Sequence, residues 1–509
     1  MKKISLFVLP IIIFVSFLLG ARMILSGDFF YLFDQARDYL LVKNIVDTHS
    51  IALIGTHSGL SGFFHGPLWL YMFLPVYILG DGNPFAFTYF YIGLQLVTVL
   101  AAYFVGSRLY GIRGGLLIAF LIALSPVTWG PVANTIGVNA EPLVFLGLFY
   151  FLIKFLRGNF KSFIFAAFFA GLSLQFETAL PLVLIPIMLI IFIWNKAALK
   201  NYKVILLSFF SFTLSISTFM LFDLRHKFLM TTAVLSAFSG GQKGKGYLEL
   251  KNRILAHFNS LWGAYKSVLF NQEVLLVVVF AAIFAFGIFL FLKSKSRYKK
   301  EFFFLLLFPV LVYVLFILYP YPIWPEYVLG LLVPVSIAFY LAISEIWKKT
   351  FGKVLVAMFF ALTLFYVAFF LQSQYLAKYQ IVDSSGSYKN QLAVVEWLFK
   401  DAGSGRNGYF VYTPEIYTHG MDYLISWYGK NYPSTIFENK KDSTTYLILY
   451  PHLANDEGAY DFWKKNTLKT KGKVILTKSF YGGITVQKLL ITSPEPVVDS
   501  NYYQGLLFR

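Results

Sequence analysis

The chain has 509 residues, 58% of them hydrophobic, 20% aromatic and only 13% charged. Soluble domains run at about 45–50% apolar, so a mean hydropathy of +0.66 excludes a soluble enzyme, a disordered chain or a nucleic-acid-binding domain as the whole protein. The lack of cysteine excludes disulfides, thiolate metal sites and cysteine nucleophiles, and the net charge of +18 has to be read from where the basic residues fall.

The apolar runs come first, since a helix needs about 20 residues to cross a bilayer. They predict about eleven spans, near 4–25, 84–106, 114–128, 141–156, 161–177, 178–194, 203–222, 272–292, 302–319, 327–346 and 353–371. The first follows Lys2 and Lys3, is too long for a signal peptide and has no small-residue cleavage site, so it reads as an uncleaved anchor. Residues 66–79 are apolar but short and carry Pro67 and Pro75, which suits an interfacial helix. With that segment left out of the count, alternate connections carry the Lys and Arg residues. These are Arg108 and Arg113, Lys154 to Lys161, Lys196 to Lys203, Lys293 to Lys300, and Lys348 to Lys353. The opposite connections near 128–140, 175–180 and 319–327 carry none. The positive-inside rule then predicts a cytoplasmic N-terminus and an outer C-terminus. It also gives the basic loops an explanation that needs no nucleic-acid partner.

Three sizeable parts are thereby expected outside: 26–83, 223–271 and 372–509. The fold class expected is a polytopic α-helical membrane domain, 1–371, followed by a small α/β extracytoplasmic domain, 372–509. In that tail the pattern predicts helices over 391–403, 421–430 and 459–466, strands over 408–414 and 444–451, and a closing hairpin of 473–480 and 483–490.

The residues that carry chemistry fall on the expected outer side. In FDQARDYLLVKNIVD, Asp34 and Asp38 are four apart and share a helix face, with Arg37 beside them. Two acids at a membrane boundary are costly unless used or well hydrated; the plainer alternative is a solvated amphipathic helix with an Asp38–Arg37 surface pair. The stretch GTHSGLSGFFHGPLWLY is rich in glycine, which permits close backbone approach, and holds His57 and His65. His65, at the lip of the interfacial helix, suits a phosphate or metal contact. Glu141, Glu177 and Glu326 sit at outer span ends. Glu141 and Glu177 also suit the positive end of a helix dipole. Tyr319, Tyr321, Trp324, Tyr327, Trp129 and Trp69 crowd the same side, as an aromatic belt or as the wall of a sugar-binding cleft. Arg225 and Lys227, just after the seventh span, are further cations available to a phosphate. The segment SGGQKGKG (239–246) has the wrong spacing for a phosphate-binding loop and lacks Ser or Thr after the lysine.

These motifs resemble the GT-C superfamily of polytopic glycosyltransferases, nearest to the protein O-mannosyltransferase and lipid A aminoarabinose transferase group. FDQARDYLLVKNI looks like that group's acidic first-loop motif, HGPLWLY like its proline-containing juxtamembrane helix, and NAEPLVF like its second acidic position. The match covers roughly residues 1–180. It implies a polyprenyl-phosphate sugar donor and direct displacement with inversion, with Asp34 as general base, Asp38 and Glu141 as further acids of the site, and His65 against the donor phosphate. Arg37, Arg225 and Lys227 are the remaining candidate phosphate cations, and Glu177 and Glu326 candidate substrate ligands. Two departures stand out: many relatives have Asp-Glu where this chain has Asp34-Gln35, and His65 replaces a lysine. A divalent metal ion, with Asp34, Asp38 and His65 as candidate ligands, stays open. So does the acceptor, which is a lipid, a polysaccharide or a protein. The rival class is a transporter or flippase of a lipid-linked sugar. No internal repeat and no matched pair of broken spans supports it. A third reading, a scaffold presenting the outer domain, leaves the outer acids unexplained.

Overall fold

Each expected span is helical in the computed structural model, which describes residues 2–59, 62–130, 135–238, 247–267, 273–376, 384–414, 417–452 and 457–497. The spans begin with Lys2–Ala21 and Pro84–Tyr110 and end with Leu332–Ile346 and Thr350–Leu376. Among the described residues five helices are long and apolar enough to cross a membrane. The number is six if Tyr202–Ser215 and Ser217–Arg225, bent by 66°, form one broken span. The count of about eleven therefore relies on apolar helices as short as Ser162–Ser173, which has 12 residues. Apolar side chains such as Phe209, Phe210, Phe351 and Phe365 are exposed along the bundle, as lipid-facing positions must be. The segment 239–246 lies outside the described residues.

The loop after the first helix folds back on the bundle as two helices, Phe33–Thr48 and Leu68–Leu79, the latter carrying Pro75 inside it. Aromatic rings join them. Tyr39 stacks on Phe87 at 3.9 Å and meets Phe73 at 5.8 Å, and Phe73 meets Trp69 at 4.5 Å. Buried ring pairs of this kind add about 0.5–1.5 kcal/mol each beyond their area, so the acidic helix is held on a rigid support.

The tail forms a five-stranded sheet in the order β2-β1-β3-β5-β4, with β1 Gly405–Tyr412, β2 Thr435–Glu438, β3 Thr444–Leu449, β4 Lys473–Ser479 and β5 Thr485–Leu490. β1 runs parallel to β2 and β3; β5 runs antiparallel to β3 and β4. The expected helices are Tyr388–Ala402, His419–Tyr428 and Glu457–Phe462, and the hairpin turns at Tyr481–Gly483. β2 is absent from the sequence-based expectation because four residues on a parallel edge leave no periodicity to read.

This sheet does not stand apart from the membrane domain. A single apolar core joins Tyr31, Tyr39 and Phe73 of the first loop to Val395, Tyr423 and Tyr446 of the tail. The chain leading into the acidic helix is also bonded to the start of the tail: Tyr31 N–H donates to Gly386 O at 2.7 Å and Tyr388 N–H to Phe29 O at 2.9 Å. Asp28 accepts from Ser387 Oγ at 2.7 Å and from Lys389 N–H at 3.1 Å. The aspartate thus supplies acceptors at the start of the helix Tyr388–Ala402, where backbone N–H groups lack intrahelical partners.

Candidate active site

The acidic helix begins at Phe33 because Gln35 folds back: its Oε1 accepts from Leu32 N–H at 2.9 Å, the glutamine half of a capping box. Gln35 thus has a structural task here. One turn on, Arg37 binds two carboxylates. Its Nη1 donates to Asp34 Oδ1 at 2.6 Å, and its Nη2 and Nε donate to Asp38 Oδ1 at 2.9 and 3.1 Å. The Asp38 side chain is 2% exposed, that of Arg37 19% and that of Asp34 30%. The Asp38–Arg37 pair is accordingly not the surface pair of the plainer alternative. Burial pushes the Asp38 carboxyl up to about 6, with Arg37 pulling the other way. Burial opposes the Arg37 charge, and Asp38 and Asp34 together hold it above its ordinary value.

Opposite the helix, the glycine-rich loop is a narrow ribbon. Gly55 N–H donates to His65 O at 2.8 Å and His65 N–H to Thr56 O at 2.9 Å. The close approach its glycines allow is to the protein itself: a Cβ on Gly66 would stand 1.9 Å from Gln175 Oε1, and one on Gly55 would stand 2.4 Å from Gly66 O. His65 Nδ1 is buried with no partner among the described residues. Burial, then Arg37 and His57, pulls this imidazole down to about 3. In the free protein it therefore offers a neutral ring and not a cation.

Helix and ribbon line a cleft partly open to solvent, into which Asp34, Arg37, Asp38, His65, Glu177 and Glu326 all bring atoms. Glu177 is buried, and its Oε1 accepts from the backbone N–H groups of Thr178 and Ala179 at 2.8 and 3.0 Å. Glu326 is exposed on the short helix Pro325–Leu331, next to Tyr327. The remaining candidates lie elsewhere. Glu141, fully buried in the first turn of Glu141–Leu156, sits with both oxygens 2.8–2.9 Å from Ser173 Oγ and does not line the cleft. Arg225 and Lys227 are exposed and also off its lining.

Sequence reasoning missed Gln175, which lines the cleft and whose Nε2 donates to Ser215 O at 2.9 Å, at the break of the bent helix pair. A polar amide in the apolar run ahead of Glu177 was the available signal. Among the described residues no group of three or more His, Asp or Glu is placed to hold a metal ion. Arg37 occupies Oδ1 of each aspartate.

No family model and no curated protein sequence matches the chain. Solved structures do. The crystal structure of ArnT from Cupriavidus metallidurans bound to undecaprenyl phosphate matches at a TM-score of 0.61 and 9% identity, over 97% of this chain and 100% of that one. ArnT in the apo state matches at 0.57 and 11% identity, over 96% and 98%. The Archaeoglobus fulgidus oligosaccharyltransferase in complex with Zn and sulfate matches at 0.48 and 13%, over 82% of this chain and 61% of that one. Across nearly its whole length, the chain has the fold of ArnT.

Proposed function

We propose that this protein is a membrane glycosyltransferase. It transfers a sugar from a polyprenyl-phosphate-linked donor to an acceptor on a lipid, polysaccharide or protein, on the extracytoplasmic side and with inversion. The observation that carries the reading is the cleft itself, in which a half-open aspartate, a guanidinium and a neutral histidine on the juxtamembrane loop face Glu177 and Glu326 on the bundle. ArnT was crystallised with a lipid phosphate, and an outward-facing site needs a donor carried through the membrane on such a lipid, since nucleotide sugars are made in the cytosol.

In this reading Asp34 takes the proton of the acceptor hydroxyl, and general-base help of this kind is worth about 10²–10⁴-fold. The acceptor oxygen bonds to the anomeric carbon while the bond to the lipid phosphate breaks, the electron pair leaving on the phosphate. Arg37 and the His65 ring are the donors nearest that leaving group, positioned as preorganised stabilisers. Glu177, Glu326 and Tyr327 accept from or stack against the sugar. Asp38 touches no substrate and holds Arg37. Residues 1–371 supply the membrane domain with the N-terminus inside, and 372–509 brace it from outside.

The test is sugar transfer in proteoliposomes given a panel of radiolabelled polyprenyl-phosphate sugars, wild type beside Asp34→Asn. Transfer coupled to release of lipid phosphate, and lost in a variant that inserts normally, is the expected result. Label that crosses the bilayer unmodified would instead make the protein a carrier of the lipid-linked sugar.

A further inference from the structure

We infer that Arg37 changes partner during the reaction: it guards Asp34 in the free protein, and the donor phosphate draws its outer edge away and so uncovers the base. This rests on the glycosyltransferase reading and adds an order of events to it.

The two edges of the guanidinium are held differently. Nε and Nη2 both point to Asp38 Oδ1, on the buried side, whereas Nη1 alone reaches Asp34 Oδ1, on the side that opens to the cleft. A planar fork of five N–H groups can keep one carboxylate on one edge while the other edge takes a phosphate oxygen, which a lysine cannot do. The cleft leaves an arriving phosphate little other choice. Arg37 is the one Lys or Arg among the described residues that line it, against four carboxylates. A phosphate that met Arg37 still tied to both aspartates would meet net negative charge. Exchange of a single bond, Nη1–Asp34 for Nη1–phosphate, sets a charge-assisted donor against that charge, and the buried anchor on Asp38 stays in place.

The exchange prepares the chemistry. The Asp34 oxygen that accepted from Nη1 is freed to take the acceptor's O–H proton. The acceptor oxygen then bonds to the anomeric carbon, and the electron pair of the breaking carbon–oxygen bond stays on the phosphate, where Nη1 now donates. With no donor bound, Asp34 Oδ1 stays bonded to Nη1.

Binding of a short-chain polyprenyl monophosphate to the full chain in nanodiscs tests this without turnover. Asp34→Asn removes the guard. It is expected to bind the lipid phosphate roughly two- to fivefold tighter, the equivalent of one partly exposed ion pair, while transferring sugar about 10²–10⁴-fold more slowly. Arg37→Lys is expected to bind about tenfold weaker, and Glu326→Gln, the same charge change on another acid of the cleft, to tighten binding less than Asp34→Asn does. Melting curves confirm that each variant is folded. Unchanged or weaker binding by Asp34→Asn, or an equal gain in Glu326→Gln, overturns the exchange while leaving the glycosyltransferase reading intact. No binding of the lipid phosphate by wild type overturns both.

Discussion

Two arginine–carboxylate clusters sit at opposite ends of the bundle and are built to different standards. At the end expected to face the cytoplasm, Arg157 meets Glu301 through two bonds of 2.7 and 2.9 Å, Tyr110 Oη donates to the same carboxylate at 2.9 Å, and Arg157 Nη1 donates to Leu109 O at 3.2 Å. The rings of Tyr110 and Tyr298 flank the guanidinium at 5.3 Å each. The glutamate is 3% exposed and holds its cation alone. At the cleft, one guanidinium serves two aspartates, a neighbouring imidazole nitrogen has no partner among the described residues, and the outer aspartate stays a third open. A fully satisfied cluster stitches helices together; an incompletely satisfied one at the same cost of burial retains capacity for a ligand.

The largest effect that would separate the two clusters is on turnover. Asp34→Asn should lower transfer by about 10²–10⁴-fold and stability by less than about 1 kcal/mol. Glu301→Ala should lower stability by about 2–4 kcal/mol, short of a wholly buried pair because the Arg157 side chain is 33% exposed. Its surviving folded fraction should turn over with unchanged kcat and KM. The reverse assignment, melting loss in the first and kinetic loss in the second, would erase the distinction. Gly66→Ala comes next: its Cβ would land against Gln175, so a loss of about 1–3 kcal/mol is expected in thermal melts.

The pH profile sharpens the comparison further. Asp38 in the cleft and Asp422 in the tail are both pushed up to about 6, chiefly by burial; Asp422 accepts from Tyr409 Oη at 2.9 Å and Thr418 Oγ at 2.6 Å. The native state binds these protons more tightly than the unfolded chain. Each contribution to stability is therefore full below the ordinary carboxylate range and is lost as pH rises through about 6. Asp38→Asn and Asp422→Asn should each flatten that part of the stability curve. Only Asp38→Asn should also remove an acid limb of the transfer rate near pH 6, since Asp422 does not line the cleft. The smallest effect belongs to the turn after Arg225. Lys227 is exposed with φ at +55°, so Lys227→Gly should raise stability by about 0.5 kcal/mol and leave the KM for donor within twofold.

Spacing and composition made much of the site legible. Asp34, Arg37 and Asp38 declare themselves by sharing one face of a helix, and His65 by its place before the prolines of the next. Runs of apolar residues locate each helix of the bundle because lipid imposes that composition. Contacts across the chain were not legible. Glu141 accepts from Ser173, 32 positions later, and lies off the cleft. Arg225 and Lys227 show only their charge in sequence, not the outward turn that keeps them off the cleft. Likewise, alternation within each strand marks the tail as α/β but cannot reveal that its helices share a core with the first loop.

That shared core has a bearing on biogenesis. The bonds that seat the chain ahead of Asp34 come from a partner 359 residues downstream, Ser387 against Asp28. During synthesis the acidic helix must form long before its brace exists. A nascent chain stopped ahead of Ser384 should therefore insert its helices yet leave residues 28–48 open to protease, and that segment should become resistant only once the tail has docked.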